Sequence, residues 1–268
     1  MKLVVIPPYK GMNWTPTEGQ YMLRELVDNM QKKGQLQGVE LTIDEGHPLD
    51  RNTESRTAAV YADVASGFLK RVALHGEGDR FDAIVSSAGN DVGFHAARVI
   101  SKIPVVHSLH AALHVASLIG ERFSVIQAVY TSVVASRHSA QDYGLGQKLV
   151  SGRFLSSSTT QIAAVVRKKR AGQTDTPEVR KFIDDVMAQC IMAIEEDRVD
   201  SLLLVYPGLQ CFEDEIRQRL DESGYSEIPI ICALPAALEM ARALVNMKLK
   251  QAARANPGEF LKAIPKFG

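Results

Sequence analysis

The chain carries one stretch twice. The run Ile103-Pro104-Val105-Val106-His107-Ser108-Leu109-His110-Ala111-Ala112-Leu113-His114 recurs as Ile228-Pro229-Ile230-Ile231-Cys232-Ala233-Leu234-Pro235-Ala236-Ala237-Leu238-Glu239. Upstream of each copy lies a second matched pair, Asp82 to Asn90 and Asp200 to Gly208. Each half therefore reads as a buried strand, a glycine-bearing loop, another strand and a helix. Two α/β halves of this kind face one another across a cleft, and ligands gather where parallel strands end.

Apolar runs at Leu3–Ile6, Val39–Ile43, Phe81–Ser86, Ile103–Val106, Phe123–Ala128, Leu149–Phe154, Ser201–Val205 and Ile228–Cys232 read as strands. Helical stretches separate them. Thr15-Pro16-Thr17-Glu18 and Thr176-Pro177-Glu178 have the form of helix starts, with a capping threonine and proline in the first turn. Another helix is expected to begin near Thr53, and Ser108 is expected to cap the helix that ends at Gly120. The alternation predicts an α/β fold with parallel sheets, as two pseudo-symmetric Rossmann-like half-domains. The repeat offset assigns residues 1–100 with 216–268 to the first half and 101–215 to the second, the C-terminal strand and helix crossing back. The tail after Asn256 is expected to be less ordered.

Lys+Arg and Asp+Glu both count 31. A balanced chain lacks the basic excess that neutralises phosphates, so nucleic acid is not an expected partner. The run Arg167-Lys168-Lys169-Arg170 reads as a solvated helix end. Three widely spaced cysteines make neither a disulfide framework nor a CxxC site, which fits a reducing, cytoplasmic setting. No signal pattern opens the chain and no apolar run reaches membrane-spanning length. No GxGxxG, P-loop or GxSxG pattern occurs.

Asp82-Ala83-Ile84-Val85, Asn90-Asp91, Pro104-Val105-Val106, Ala111 through Leu118 and Arg122-Phe123-Ser124-Val125-Ile126 together resemble the aspartate/glutamate/hydantoin racemase superfamily, most of all its hydantoin branch. The resemblance implies two half-domains around a cleft, a small amino-acid-derived carboxylate or hydantoin-like ring as substrate, and a homo-oligomer. It also implies a cysteine after the equivalent strand of each half, one taking a proton from the substrate α-carbon and the other delivering one to the opposite face. Here those positions fall on Ala88 and Tyr206. Alanine has no proton to move, and a tyrosine ordinarily ionises near pH ~10. The family's Asn-Pro-Asn-Thr loop is replaced by Pro7-Pro8-Tyr9-Lys10-Gly11. The scaffold is thus expected to persist with a changed reaction.

The strand ends supply the candidates. Tyr9, Lys10, Ser86, Ser87, Asn90, Tyr130 and Gly208 are placed for substrate binding, and Tyr206, Cys211, Asp91 and Glu45 for catalysis. Cys211 is expected near a helix start, where the dipole would lower a thiol pKa. Its alternative is a small buried apolar residue. His107, His110 and His114 form the sharpest cluster, with His110 and His114 spaced i, i+4, and His47 or Asp91 could add a ligand from a neighbouring strand end. Such a set suits a divalent metal, zinc or manganese, which would activate water. The alternative is histidines that only donate hydrogen bonds. With the thiols gone, hydrolase or lyase chemistry is favoured. Racemisation by other acid/base pairs and a non-catalytic small-molecule-binding protein are the alternatives.

Overall fold

The computed structural model describes residues 1–10, 18–49, 57–252 and 255. The expected cap at Thr15–Thr17, the helix start at Thr53 and the tail after Asn256 lie outside these residues.

Two parallel sheets of four strands form the centre. The first has the order β2-β1-β3-β4, with β1 Lys2–Ile6, β2 Glu40–Ile43, β3 Ala83–Ser86 and β4 Val105–His107. The second has the order β6-β5-β7-β8, with β5 Phe123–Gln127, β6 Leu149–Phe154, β7 Ser201–Leu204 and β8 Ile230–Cys232. The two orders are the same order, so the repeat is a repeat of topology. The middle strands β1, β3, β5 and β7 are mostly apolar and buried almost throughout, as strands covered by helices on both faces must be.

Helices α1 (Glu18–Lys32), α2 (Ala58–His75) and α3 (Phe94–Ile100) connect the first sheet. Helices α5 (Tyr130–Asp142), α6 (Thr159–Arg170), α7 (Pro177–Glu195), α8 (Pro207–Gln210) and α9 (Glu213–Glu222) connect the second. The start of α7 is as expected: Thr176 caps Val179 N and Pro177 fills the first turn. At the start of α6, Ser158 and Gln161 form a reciprocal capping box.

The expected division between halves is corrected by the strand pairing. β4 stays with the first sheet, where Val105–His107 pair with Ile84–Ser86, and β8 stays with the second, where Ile230–Cys232 pair with Leu202–Leu204. What crosses is the helix after each. Helix α4 (Ser108–Ile119) packs against β7 and β8, while α10 (Ala233–Asn246) packs against β3 and β4. The two also pack on each other. The physical reason is in the repeated motif. Ala111, Ala112 and Ala116 on α4, and Ala233, Ala237 and Ala241 on α10, are fully buried. Small side chains let two helices approach closely while each presents leucines, Leu109 with Leu113 and Leu234 with Leu238, to the core.

The basic run at the end of α6 is ion-paired rather than merely solvated. Lys168 pairs with Glu178, Lys169 with Glu215, and Arg170 with Glu25 and Asp28 of α1. No helix among the described residues is long and apolar enough to cross a membrane.

Candidate active site

The C-terminal tips of the two sheets meet. A Cβ on Gly89, in the loop after β3, would sit 3.5 Å from both Cγ1 and the carbonyl oxygen of Val205, just past β7. Gln127, the last residue of β5, donates through Nε2 to Gly89 O at 2.9 Å and to Ser136 Oγ at 3.0 Å. Ser136 passes its own proton to Ser132 O. One buried amide therefore joins the second half to the loop of the first. Gln127 was not singled out from sequence; its only signal is a polar residue closing an apolar strand.

That loop holds Ser86, Ser87, Ala88 and Asn90, all buried. Ser86 Oγ accepts from Ala88 N at 3.3 Å, and Ser86 O accepts from Ser108 Oγ at 2.6 Å. Ser108 thus lies inside α4 and braces β3 instead of capping its own helix. Ser87 N donates to Ile6 O at 3.2 Å, while Ser87 Oγ is buried without a hydrogen-bond partner among the described residues. It is a hydroxyl fixed at a strand tip with its donor and acceptor capacity unused.

In the second half Tyr206 precedes α8 and is partly exposed. A Cβ on Gly208 would lie 2.6 Å from Ile162 Cγ2 and 2.9 Å from Tyr206 Cε1. Gly208 is therefore a packing glycine that lets the Tyr206 ring fold over it. Cys211 closes the four-residue α8 and directly precedes the cap of α9, near a helix start as expected, but its thiol is not activated there. Burial pushes its thiol pKa up, and its Sγ donates to Pro207 O at 3.3 Å. A buried, protonated thiol is inert. Cys190 and Cys232 are buried as well, and burial raises both, Cys190 to about 12.

The tips of β1 and β2 carry Tyr9, Lys10, Glu45 and His47. Lys10 N donates to His47 O at 2.8 Å, and Lys10 Nζ pairs with Glu45 Oε2 at 2.7 Å. The Lys10 hydrogen bond holds the Glu45 carboxyl below its usual range, so the exposed Glu45 is an anion in an ion pair and not a poised base. Gly46 between them has φ of 80° and a Cβ there would strike the Tyr9–Lys10 backbone at 2.7 Å. Behind this tip Asp44 is buried. It accepts from Gly46 N at 2.8 Å and from Arg71 Nε at 2.8 Å, and its second oxygen lies 2.7 Å from His75 Nε2. Burial alone would raise the Asp44 pKa; Arg71, His75 and Gly46 outweigh it and hold the carboxyl below its usual range.

The histidines expected to bind a metal are distributed otherwise. His47 lies against Gly67, with Nε2 3.5 Å from Lys70 Nζ. His107 is fully buried between Phe68 and Phe94, ring centroids 5.0 and 4.7 Å away, and neither nitrogen has a hydrogen-bond partner among the described residues. His110 and His114 pack edge to face at 4.4 Å. Burial, then the neighbouring His114, pushes His110 down to about 4, and burial lowers His114. Among the described residues no three His, Cys, Asp or Glu side chains converge to hold an ion.

Asp91 serves α4. Its side chain is buried, Oδ2 accepts from Tyr143 OH at 2.8 Å, and Oδ1 accepts from His110 N at 3.4 Å with His107 Nδ1 3.6 Å away. A carboxylate at the first turn of a helix caps its open N–H groups. This geometry assigns Asp91 to a cap reaching in from another element, with both oxygens engaged.

Residues 10–241 match the sequence profile of the Asp/Glu/Hydantoin racemase family. A hydantoin racemase from Pseudomonas sp. (strain NS671) is 27% identical over 200 residues, 72% of each chain. An allantoin racemase from Klebsiella pneumoniae superposes with a TM-score of 0.73 at 20% identity, over 98% of this chain and 95% of that one. The allantoin racemase of Pseudomonas fluorescens gives 0.74 at 18%, over 98% and 99%. At these identities the structural likeness is one of fold. The hydrolytic or lyase reaction favoured from sequence, and the metal considered beside it, find no support in these relatives or in the arrangement of the described residues.

Proposed function

Because the chain belongs to the Asp/Glu/hydantoin racemase family, we propose that it is a racemase-type enzyme that moves a proton at a carbon next to a carbonyl, in a hydantoin-like ring or a small amino-acid-derived carboxylate. Its acid/base groups are oxygen-based. The observation that carries this reading is the meeting of the strand tips at Gly89, Val205 and Gln127. It brings the Ser86–Asn90 loop of one sheet to the Tyr206 turn of the other.

Removing such a proton leaves a planar carbanion whose charge spreads onto the carbonyl oxygen. Catalysis needs donors at that oxygen and a proton carrier over the ring face. The unpartnered Ser87 hydroxyl supplies a donor. Tyr206 is the carrier on the second half's side. On the first half's side stands Ala88, which carries no proton. A proton that leaves and returns on one face exchanges with solvent faster than the centre inverts.

The test is 5-substituted hydantoin in deuterated water, followed by proton NMR and polarimetry. Loss of the α-proton signal, faster than loss of optical rotation and much reduced in Tyr206→Phe, is expected. Appearance of the ring-opened N-carbamoyl amino acid would assign hydrolysis instead. Absence of both exchange and turnover would overturn the proposal.

A further inference from the structure

We infer that Gln210 is a positioning residue for Tyr206. Its buried amide sets the turn that carries the phenol and ties that turn to the helix covering the opposite sheet. This rests on the function proposed above, which makes Tyr206 the proton carrier of the second half.

Gln210 ends α8 and is 3% exposed. A primary amide buried this deeply must find partners for both its ends. Its Nε2 donates to Val205 O at 2.8 Å, and its Oε1 accepts from Leu234 N at 3.0 Å. Its own backbone N donates to Tyr206 O at 3.4 Å, an oxygen that Leu209 N also reaches at 3.0 Å. One residue therefore holds the carbonyl before the Tyr206 Cα and shares in holding the one after it. With both flanking peptide groups held, the direction in which the Tyr206 side chain leaves the backbone is fixed.

The two halves brace their central tips differently. In the first, Ser108 of α4 donates to Ser86 O and braces the tip of β3. The repeat puts Ala233 where Ser108 stands, so α10 has no hydroxyl to offer the tip of β7. The Gln210 amide reaches that tip from α8 instead. It also satisfies Leu234 N, in the first turn of α10, where N–H groups have no partner within the helix and the cap residue Cys232 supplies no side-chain bond. Because α10 packs against β3 and β4, the Tyr206 turn is held from the sheet that carries Ser87 as well as from its own.

The contact with the candidate site is direct. Val205 O, which accepts from Gln210, lies 3.5 Å from the position of a Cβ on Gly89. On the other side of that meeting point Gln127 holds Gly89 O. Two buried amides, one on each facing carbonyl, thus set the separation between the Ser86–Asn90 loop and Tyr206. Proton transfer tolerates little error in such a separation, since a shift of about 1 Å can cost two orders of magnitude in rate.

The experiment follows α-proton exchange of the 5-substituted hydantoin in deuterated water for wild type, Gln210→Met and Gln210→Glu, each well below its own melting temperature. Gln210→Met keeps the length and removes both side-chain bonds. Its kcat for exchange is expected to fall at least about tenfold, with KM within about twofold of wild type. Gln210→Glu keeps the acceptor for Leu234 N but donates to Val205 O only when protonated. Its rate relative to wild type is expected to climb as pH falls from about 8.5 to about 5.5, because burial raises a carboxyl into that window. A glutamine that served stability alone would lower both melting temperatures and leave kcat unchanged. Wild-type kcat in Gln210→Met, or a Gln210→Glu ratio that stays flat with pH, would overturn the inference. Should Gln210→Met not fold, Gln210→Glu decides alone. The NMR signals of the Tyr206 ring, identified by their loss in Tyr206→Phe, separate this inference from the function above. If wild type exchanges no α-proton, the proposed reaction falls. Ring signals displaced in Gln210→Glu at high pH and restored at low pH would then leave the positioning role standing, and unmoved signals would remove it.

Discussion

Gln127 Nε2 stands 2.9 Å from Gly89 O, and this bond crosses from the central strand of one sheet to the loop at the tip of the other. The same nitrogen donates to Ser136 Oγ, so both of its protons are used inside the protein. Gln127→Leu keeps the size and removes both donors. It should cost about 1–3 kcal/mol of stability by stranding a carbonyl and a hydroxyl. Urea unfolding measures the cost. Turnover should fall further than the stability loss explains, because the Ser86–Asn90 loop loses its tether. A variant that unfolds and turns over like wild type would remove Gln127 from this role.

Acid should weaken the fold through Asp44. Its folded pKa lies below its unfolded value, because the Arg71, His75 and Gly46 hydrogen bonds outweigh burial. The stabilisation is therefore fully present above the unfolded value of about 4 and is lost as pH falls through the lower folded value. Asp44→Asn should be less stable than wild type at neutral pH. The gap should close as pH drops toward 2, read from urea midpoints at half-unit steps.

His110 gives a second acid limb at higher pH. Its folded pKa of about 4 lies below the ordinary 6.5, because burial and the nearby His114 disfavour the imidazolium. Stability tied to the neutral ring is complete above 6.5 and declines as pH falls toward 4. In NMR titrations the His110 ring signals should stay flat down to pH ~5. Midpoints near 6.5 would contradict the packing of Phe94, Tyr143 and His114 around that ring.

Tyr143→Phe probes the cap on α4. The hydroxyl donates to the buried Asp91 carboxylate at 2.8 Å. Its loss should cost about 1.5–3 kcal/mol, the range for a hydrogen bond to a charged group. Hydrogen exchange should quicken first at the N-terminal turn of α4, where Asp91 also accepts from His110 N.

Cys211→Ala should leave α-proton exchange within about twofold of wild type, since a thiol this deeply buried is held protonated. Iodoacetamide should not label it in the folded protein. Loss of activity together with an unchanged melting temperature would restore it as a nucleophile.

The parts of this fold that could be read from sequence are those written locally. Thr176 and Pro177 announce α7 within one turn, and eight short apolar runs announce eight strands. The matched strand–loop–strand–helix runs gave the two halves. The exchange of α4 and α10 could not be read, because an alanine-rich helix next to its own strand carries no mark of which sheet it will cover. Asp44 with Arg71 and His75 escaped because the partners are 27 and 31 residues apart, and neither spacing has a motif. Cys211 stands beside the start of α9, as its local sequence suggests, but nothing local shows that its side chain is buried in the core and its thiol held protonated. Asp91 reads as catalytic from sequence because nothing in the chain shows that Tyr143, 52 residues on, donates to it.

The crossed helices α4 and α10 have one more implication. Each sheet borrows part of its covering from the other segment of the chain, so neither is covered by its own residues alone. Severing the backbone at Gly120, between α4 and β5, would yield two pieces that still clasp each other, as interlocked hands do. The interval between the opposing tips is then a property of that clasp, present before any ligand arrives.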